Sequence, residues 1–175
     1  MKRYTYTVDA DITSTAVCPI HDEDGRTVAT VERVYTNKLK KLFDGYFDYR
    51  YFLQYDVKVD GVVTFRTKKI FRRGKVWFEA TDLQRNQPYA ILYENWRLAI
   101  PELSIRGHNF EMQLDKEMED WSNFKENDVV VARWKATFDE ARQQFDVVIE
   151  IEDNCSIQSV DFFACLGQAI LFIGM

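Results

Sequence analysis

The sequence predicts one all-β domain in which an antiparallel, barrel-like sheet surrounds a buried apolar C-terminal helix. Three observations predict this fold class. Aromatic residues make up 15% of the 175 residues, and such rings favour half-buried sheet surfaces. Apolar and polar residues alternate along most of the chain, which is the period of a strand with one buried face. The stretch 162–173 contains no charged residue and only one strongly polar one, Gln168.

Strand periodicity is clearest in three segments, 50–59, 130–138 and 144–152. Weaker alternation predicts further strands at 3–9, 16–20, 27–36, 62–71, 76–81, 89–94 and 109–114. Gly-containing turns separate several of them: Asp24-Gly25, Asp60-Gly61, Arg73-Gly74 and Arg106-Gly107. About ten short strands at close spacing are typical of a sandwich or a barrel.

The Asp60-Gly61 turn allows the register of one hairpin to be predicted. A two-residue turn would pair Tyr55 with Arg66 and so mix the apolar and polar faces. A three-residue loop with Gly61 in the left-handed conformation pairs Tyr55 with Phe65 and brings the apolar faces together. We therefore predict a type I turn followed by a G1 bulge, with Arg66 on the outer face.

Two segments depart from the strand pattern. In residues 37–47, Leu39, Leu42 and Phe43 fall on one side of a helical projection, which predicts a short amphipathic helix or loop. In residues 159–175, Ser159 can cap a helix. The 14 uncharged residues from position 162 onward are too few for a membrane span, which needs roughly 20. We therefore expect this helix to be enclosed by the strands, with a lipid-inserted tail anchor as the alternative.

Charge is distributed unevenly along the chain. The net charge of −5 argues against a nucleic-acid-binding protein. Residues 33–75 nevertheless contain twelve Lys/Arg and four Asp/Glu, so a basic middle lies on an acidic body.

Three cysteines without metal-ligand spacing are typical of free thiols in a reducing compartment. With no signal-peptide pattern after Lys2 and Arg3, we expect a cytoplasmic location and no transmembrane span.

The densest run of positive charge predicts an anion site. Its cations are Arg66, Lys68, Lys69, Arg72, Arg73 and Lys75, with Lys38, Lys40 and Lys41 as auxiliary contacts. No acidic residue lies between Gly61 and Phe78. An anionic membrane attracts such cations at about 1 kcal/mol per charge. The alternative interpretation is a solvated hairpin whose charges keep an edge strand soluble.

Catalytic and metal-binding patterns are missing from the sequence. His21 and His108 lack metal-ligand spacing, and the acidic turn before Gly25 lacks the calcium-loop spacing. The acidic stretch 111–120 is interpreted as a solvated loop. No GxSxG, HExxH or phosphate-cradling glycine loop occurs. We therefore expect no catalytic residue, no cofactor and no metal.

Two segments resemble a known family. One is residues 17–44, VCPIHDEDGRTVATVERVYTNKLKKLFD, in which a strand, an acidic-Gly turn, a second strand and a basic amphipathic piece follow in order. The other is residues 159–175, SVDFFACLGQAILFIGM. These segments resemble the tubby C-terminal-like superfamily, which includes the plant LURP-one-related proteins and the phospholipid scramblases. The likeness is nearest to short bacterial tubby-like proteins of unknown role.

The resemblance implies residues 1–175 as a single domain, a closed antiparallel barrel of about twelve strands around the buried helix. Animal tubby domains bind phosphoinositide headgroups through Lys and Arg. The resemblance therefore implies a non-enzymatic domain that recognises anionic phospholipid or phosphate headgroups, peripheral to the inner face of a bacterial membrane. The Pro-rich and Cys-rich region and the calcium site of scramblases are absent, so scramblase activity does not carry over.

Two other functions stay open at this stage. The first is a soluble protein-interaction or scaffold module that docks an acidic protein partner. The second is an enzyme of unrecognised type, which would need a deep pocket with unusually titrating residues. A lipocalin-like carrier would need a lumen that the helix should already fill.

Overall fold

The computed structural model describes residues 1–47, 51–72, 75–94, 102–117 and 120–172, which form a closed antiparallel barrel around an inner helix. The strands are β1 (Lys2–Asp9), β2 (Cys18–His21), β3 (Thr27–Arg33), β4 (Gln54–Val59), β5 (Val62–Arg72), β6 (Lys75–Asp82), β7 (Gln87–Tyr93), β8 (Glu102–Gly107), β9 (Phe110–Asp115), β10 (Ser122–Glu126), β11 (Val129–Asp139) and β12 (Gln144–Ile151). Helix α1 (Lys38–Asp44) and a 3-10 turn (Gly45–Phe47) connect β3 to β4, and helix α2 (Val160–Ile170) follows β12.

Each strand pairs with its neighbours in sequence, and β1 closes the barrel on β12 from Lys2↔Ile151 to Asp9↔Gln144. Closure leaves no unpaired sheet edge, so the predicted fold class is confirmed. The sequence pattern missed β8 and β10. In β8 the consecutive residues Leu103, Ser104 and Ile105 are all buried, which hides the alternation, and β10 has one large apolar residue, Phe124.

The alternating strand directions define two ends of the barrel. We call one the α1 end, because it carries the β3–β4 connection with α1, and also the β5–β6 connection. The opposite end carries the Asp24-Gly25 and Asp60-Gly61 turns and the start of α2. Phe172, two residues after the end of α2, reaches the α1 end, where it lines the same cavity as Arg33.

The register of the β4–β5 hairpin differs from the predicted one. Both residues of Asp60-Gly61 have positive φ, 50° and 77°, as in a two-residue type I′ turn. The pairing then shifts at Thr64, so that Phe65 lies opposite Val57 rather than Tyr55. The three-residue loop was therefore wrong. The chain uses the turn that hairpins prefer and brings the buried faces into line with a bulge further along the strand.

Helix α2 fills the lumen, as predicted. Every side chain from Phe162 to Leu171 is buried, including Gln168. The Phe162 ring makes edge-to-face contacts with Phe65 and Tyr89, at centroid distances of 5.5 and 5.4 Å. Ser159 precedes the helix, but its side chain makes no capping hydrogen bond. Within the described ranges, no helix has the length and apolar character needed to cross a bilayer.

A glycine lets α2 approach the wall of the barrel closely. A Cβ placed on Gly167 would overlap the indole ring of Trp134 on β11. The Trp134 Nε1 donates to the hydroxyl of Tyr6 at 3.5 Å, which links the ring to β1, the strand on the other side of β12. Glycine at this position therefore sets the distance between α2 and β11.

Candidate functional site

Helix α1 begins with a side-chain cap. The side-chain oxygen of Asn37 accepts a hydrogen bond from the backbone N–H of Lys40 at 2.7 Å, which satisfies one of the free donors of the first turn. The helix spans seven residues and passes directly into the 3-10 turn Gly45–Phe47. Such a short helix depends on tertiary contacts for its position.

A buried carboxylate supplies those contacts at the end of α1. Asp44 Oδ2 accepts hydrogen bonds from Arg33 Nη2 at 2.6 Å and from the Tyr35 hydroxyl at 2.9 Å. Its Oδ1 accepts from the backbone N–H groups of Tyr51 and Phe52, at 3.0 and 2.9 Å. Burial and the hydrogen bond to Asp44 raise the pKa of Tyr35. We call these five residues the Asp44 clamp, which ties α1 to the end of β3 and to the segment before β4.

The opposite side of α1 is apolar and faces solvent. The exposed fractions are 60% for Leu39, 64% for Leu42, 49% for Phe43 and 81% for Tyr46 in the 3-10 turn. The predicted amphipathic helix is therefore confirmed. Its apolar side, however, lies outside the core cluster that the strands form around α2.

Three lysines lie on the other sides of α1. Lys38 and Lys41 are exposed and Lys40 is half-buried. The Nζ of Lys40 lies 5.7 Å from the centroid of the Phe52 ring, and the Nζ of Lys41 lies 5.9 Å from the Tyr35 ring. These cation–π contacts hold two ammonium groups near rings of the Asp44 clamp, on the sides of α1 away from Leu39 and Leu42. We call the combined set the α1 surface: Leu39, Leu42, Phe43, Tyr46, Lys38, Lys40 and Lys41.

The predicted cations of β5 have different surroundings. Arg66 forms a bidentate ion pair with the buried carboxylate of Asp56, with Nε–Oδ1 and Nη2–Oδ2 distances of 2.7 and 2.6 Å. These hydrogen bonds raise the pKa of the Arg66 guanidinium. Lys68 is exposed, with its Nζ 4.0 Å from a carboxylate oxygen of Glu79. Lys69 is half-buried. Arg66 is thus engaged within the sheet, while Lys68 projects from it.

The β5–β6 hairpin extends at the α1 end of the barrel. Lys68 pairs with Gln54, the first residue of β4, and β5 continues from there to Arg72. The backbones of Arg72 and Lys75 therefore lie beyond the start of β4, while their side chains and the whole of Arg73 lie outside the described residues. The fold brings Lys68, Lys69 and the α1 surface to one end of the barrel.

The remaining sequence candidates are the two histidines and the acidic stretch 111–120. Within the parts of the chain that the structure describes, no group of three or more His, Cys, Asp or Glu could hold a metal ion. His21 contacts the hydroxyl of Thr27 at 3.3 Å, and His108 lies in the β8–β9 turn. Glu111 and Asp115, expected in a loop, lie within strand β9, where each forms an ion pair.

The cysteine side chains are also unsuited to chemistry. Cys18, Cys155 and Cys165 are free and buried. Burial raises the pKa of Cys18 and of Cys155 to about 11 and raises the pKa of Cys165 as well. All three thiols are therefore protonated at neutral pH, and a protonated buried thiol is a poor nucleophile.

A small cavity opens at the α1 end of the lumen. Tyr55, Gln168 and Phe172 contribute to its lining, and its volume is about 20 Å³. That is the space of roughly one water molecule. A cavity of this size cannot take a lipid headgroup or an apolar cargo molecule.

Sequence analysis missed two residues of this region: Tyr46, which belongs to the α1 surface, and Asp44, which positions it. Tyr46 continues the spacing of Leu39, Leu42 and Phe43 by one more turn, so the periodicity could have identified it. Nothing in the sequence distinguishes Asp44 from a solvated acid, because its partners Arg33 and Tyr51 meet it only after the barrel closes.

Comparisons with known proteins agree with the architecture. The family model of the Tubby C-terminal like domain matches residues 4–173, which covers the first segment that carries the resemblance and all but the last two residues of the second. A search of curated proteins and a search of solved structures each gave no match. Domains of this family are in general non-enzymatic and bind lipids or proteins. Together, the closed barrel, its luminal helix and the match over almost the whole chain show that this protein belongs to the Tubby C-terminal like domain family.

Proposed function

We propose that residues 1–175 form a single non-enzymatic domain that binds anionic phospholipid headgroups at a membrane surface through the α1 end of the barrel. One observation carries the proposal: the short helix α1 bears both exposed lysines and exposed apolar side chains, at the end of the barrel where the cations of β5 also lie. Cationic groups beside apolar ones match the interface of an anionic bilayer, where phosphates overlie acyl chains.

Exposed acidic residues lie at both ends of the barrel. They include Glu23, Asp24, Asp60, Asp128 and Asp153 at the opposite end and Asp11, Glu94, Glu102, Asp120 and Glu140 at the α1 end. The proposed orientation rests on the cations of α1 and β5, which a negative surface potential attracts, so the domain would approach a membrane with α1 leading.

The proposed contacts contribute unequally to phosphate binding. Lys38, Lys40 and Lys41 are the principal phosphate contacts. Lys68 and Lys69 extend the site along β5, and the sequence adds Arg72, Arg73 and Lys75 at the hairpin tip. Arg66 contributes least, because the carboxylate of Asp56 already occupies two of its donors. The domain would act peripherally, on a cytoplasmic membrane face.

Co-sedimentation with vesicles tests the proposal. The protein is mixed at low salt with phosphatidylcholine vesicles, with or without phosphatidylserine or a phosphoinositide. We expect binding only to the anionic vesicles, decreasing as salt is added. A triple variant, Lys38→Ala, Lys40→Ala and Lys41→Ala, should bind on the order of 100-fold more weakly.

A matched control separates a site from net charge. The variant Lys2→Ala, Arg26→Ala and Arg85→Ala removes the same number of charges from exposed residues at the opposite end. It should keep vesicle binding nearly intact. Negligible binding of the unmodified protein to every vesicle would contradict the proposal and favour docking of an acidic protein partner. An equal loss in both variants would contradict the assignment to the α1 end.

A further inference from the structure

We propose that α1 is a membrane wedge: the side chains of Leu39, Leu42, Phe43 and Tyr46 enter the interfacial layer of the anionic bilayer that its lysines contact. This inference rests on the proposed function and deepens it, because it adds an apolar contact that salt does not screen. Headgroup recognition alone would need the cations but not the four apolar side chains.

The spacing of the four apolar residues carries the first step. They follow one another at i, i+3, i+4 and i+7, the pattern by which a helix in a globular protein normally faces the core. All four are instead roughly half or more exposed. Adjacent large apolar side chains on a surface mark an interaction site, whereas scattered ones are ordinary.

The Asp44 clamp carries the second step. It satisfies both carboxylate oxygens of Asp44 with donors from β3 and from residues 51–52. The clamp fixes one side of α1 against the barrel, so the apolar side cannot rotate inward. A helix that is already held in its bound orientation has less conformational freedom to lose on binding.

Charge complementarity selects an anionic bilayer as the occupant. Lys38, Lys40 and Lys41 lie on the same short helix as the apolar side, and the single carboxylate within residues 34–47, Asp44, is buried in an ion pair. A second copy of the chain on this surface would bring two sets of lysines together, and like charges would oppose the contact. A bilayer offers phosphates to the lysines and acyl chains to the leucines at the same depth.

An environment-sensitive label tests insertion directly. A Leu42→Cys variant is labelled with the fluorophore NBD, and a Val62→Cys variant serves as the control. Val62 is as exposed as Leu42, at 63% and 64%, but lies beside the turn at the opposite end of the barrel. The three native cysteines are buried, so labelling is directed to the introduced thiol.

With vesicles containing phosphatidylserine, we expect the Leu42 label to brighten, shift to shorter wavelength and be quenched by lipids brominated on the upper acyl chain. The Val62 label should not respond. Co-sedimentation on the same samples reports binding independently. If the labelled protein binds and the Leu42 label stays in an aqueous environment, the wedge is refuted while headgroup binding stands. If nothing binds, both proposals fail.

A second variant tests the contribution of the apolar side to affinity. Replacing Leu39 and Leu42 by Ser removes exposed apolar surface without touching a lysine or the Asp44 clamp, so melting temperature should not change. We expect binding to anionic vesicles to weaken on the order of 10- to 100-fold. The part of the vesicle binding that persists at high salt should decrease most, because salt does not screen apolar contacts. Unchanged affinity at both salt concentrations would overturn the wedge.

Discussion

The two helices of this protein place similar apolar residues in opposite surroundings. In α2, Leu166 is 1% exposed and the side chains from Phe162 to Leu171 are buried by the strands. In α1, Leu42 is 64% exposed. The barrel buries the apolar side chains of α2 and leaves those of α1 exposed to solvent. An apolar side chain that stays exposed on folding contributes nothing to stability by burial, so the contrast supports the binding role proposed for α1.

The helices also differ in what fixes their positions. Packing holds α2, through interlocking rings such as Phe163 against Phe124 at a centroid distance of 5.0 Å. A single polar cluster, the Asp44 clamp, holds α1. The following three predictions test this contrast, from the largest expected effect to the smallest.

Removal of the clamp carboxylate should have the largest effect on stability. Asp44→Ala removes the buried carboxylate that pairs with the buried Arg33 guanidinium, which costs about 3–5 kcal/mol. Urea unfolding measures this loss. Asp56→Ala is the control on the outer wall, because its partner Arg66 keeps access to water and should lose less. Equal losses in the two variants would contradict a special role for the clamp.

The same substitution in the two helices should give very different results. Leu166→Ala opens a cavity in the lumen and should lower the free energy of unfolding by about 2–5 kcal/mol. Leu42→Ala removes a side chain from solvent and should change it by less than about 0.5 kcal/mol. Thermal or urea unfolding of both variants makes the comparison. A comparable loss from Leu42→Ala would mean that α1 stabilises the fold, which would remove the reason to assign it a binding role.

Alkaline pH should destabilise the surroundings of α2. Burial raises the pKa of Tyr55, which faces Gln168 of α2, to about 12, whereas an unfolded tyrosine titrates near 10. Above pH 10 the unfolded state loses the phenolic proton first, so stability falls as pH rises between about 10 and 12. Tyr55 alone should contribute a loss of roughly 1 kcal/mol by pH 11.

Unfolding curves of the protein and of a Tyr55→Phe variant check this dependence. The variant should lose stability less steeply in the same interval. Part of the slope should remain, because burial also raises the pKa of Tyr93 to about 12 and that of Cys18 to about 11. Identical slopes in the two proteins would show that Tyr55 ionises equally well in the folded and unfolded states.

Much of the fold was predictable because its signals are local. The alternation in β4, β11 and β12 follows from each strand having one face towards α2, and the uncharged stretch from position 162 requires enclosure on all sides. The predictions were wrong where contacts with neighbouring strands determine the register or the burial of a residue. The bulge at Thr64 depends on the pairing of β5 with β4, and Ser104 of β8 is buried where its hydroxyl donates to Glu94, which follows β7.

The sequence predicted which residues make up the candidate site, but not which of them are free of internal ion pairs or which way the apolar side of α1 faces. The lysines at positions 38, 40 and 41 and the cations of β5 are visible in the sequence. Their availability is not, because Arg66 meets Asp56 only across a strand pair. Likewise, the sequence shows that α1 has an apolar side, but the direction of that side follows from donors on β3 and in the 51–52 segment.

By itself, the sequence determined an antiparallel barrel-like sheet, its luminal helix and a basic segment, since periodicity and charge are properties of consecutive residues. Tertiary structure alone decided which cations are already paired and that the apolar side of α1 faces water. Both depend on contacts between residues brought together by strand pairing, and no local pattern records those contacts.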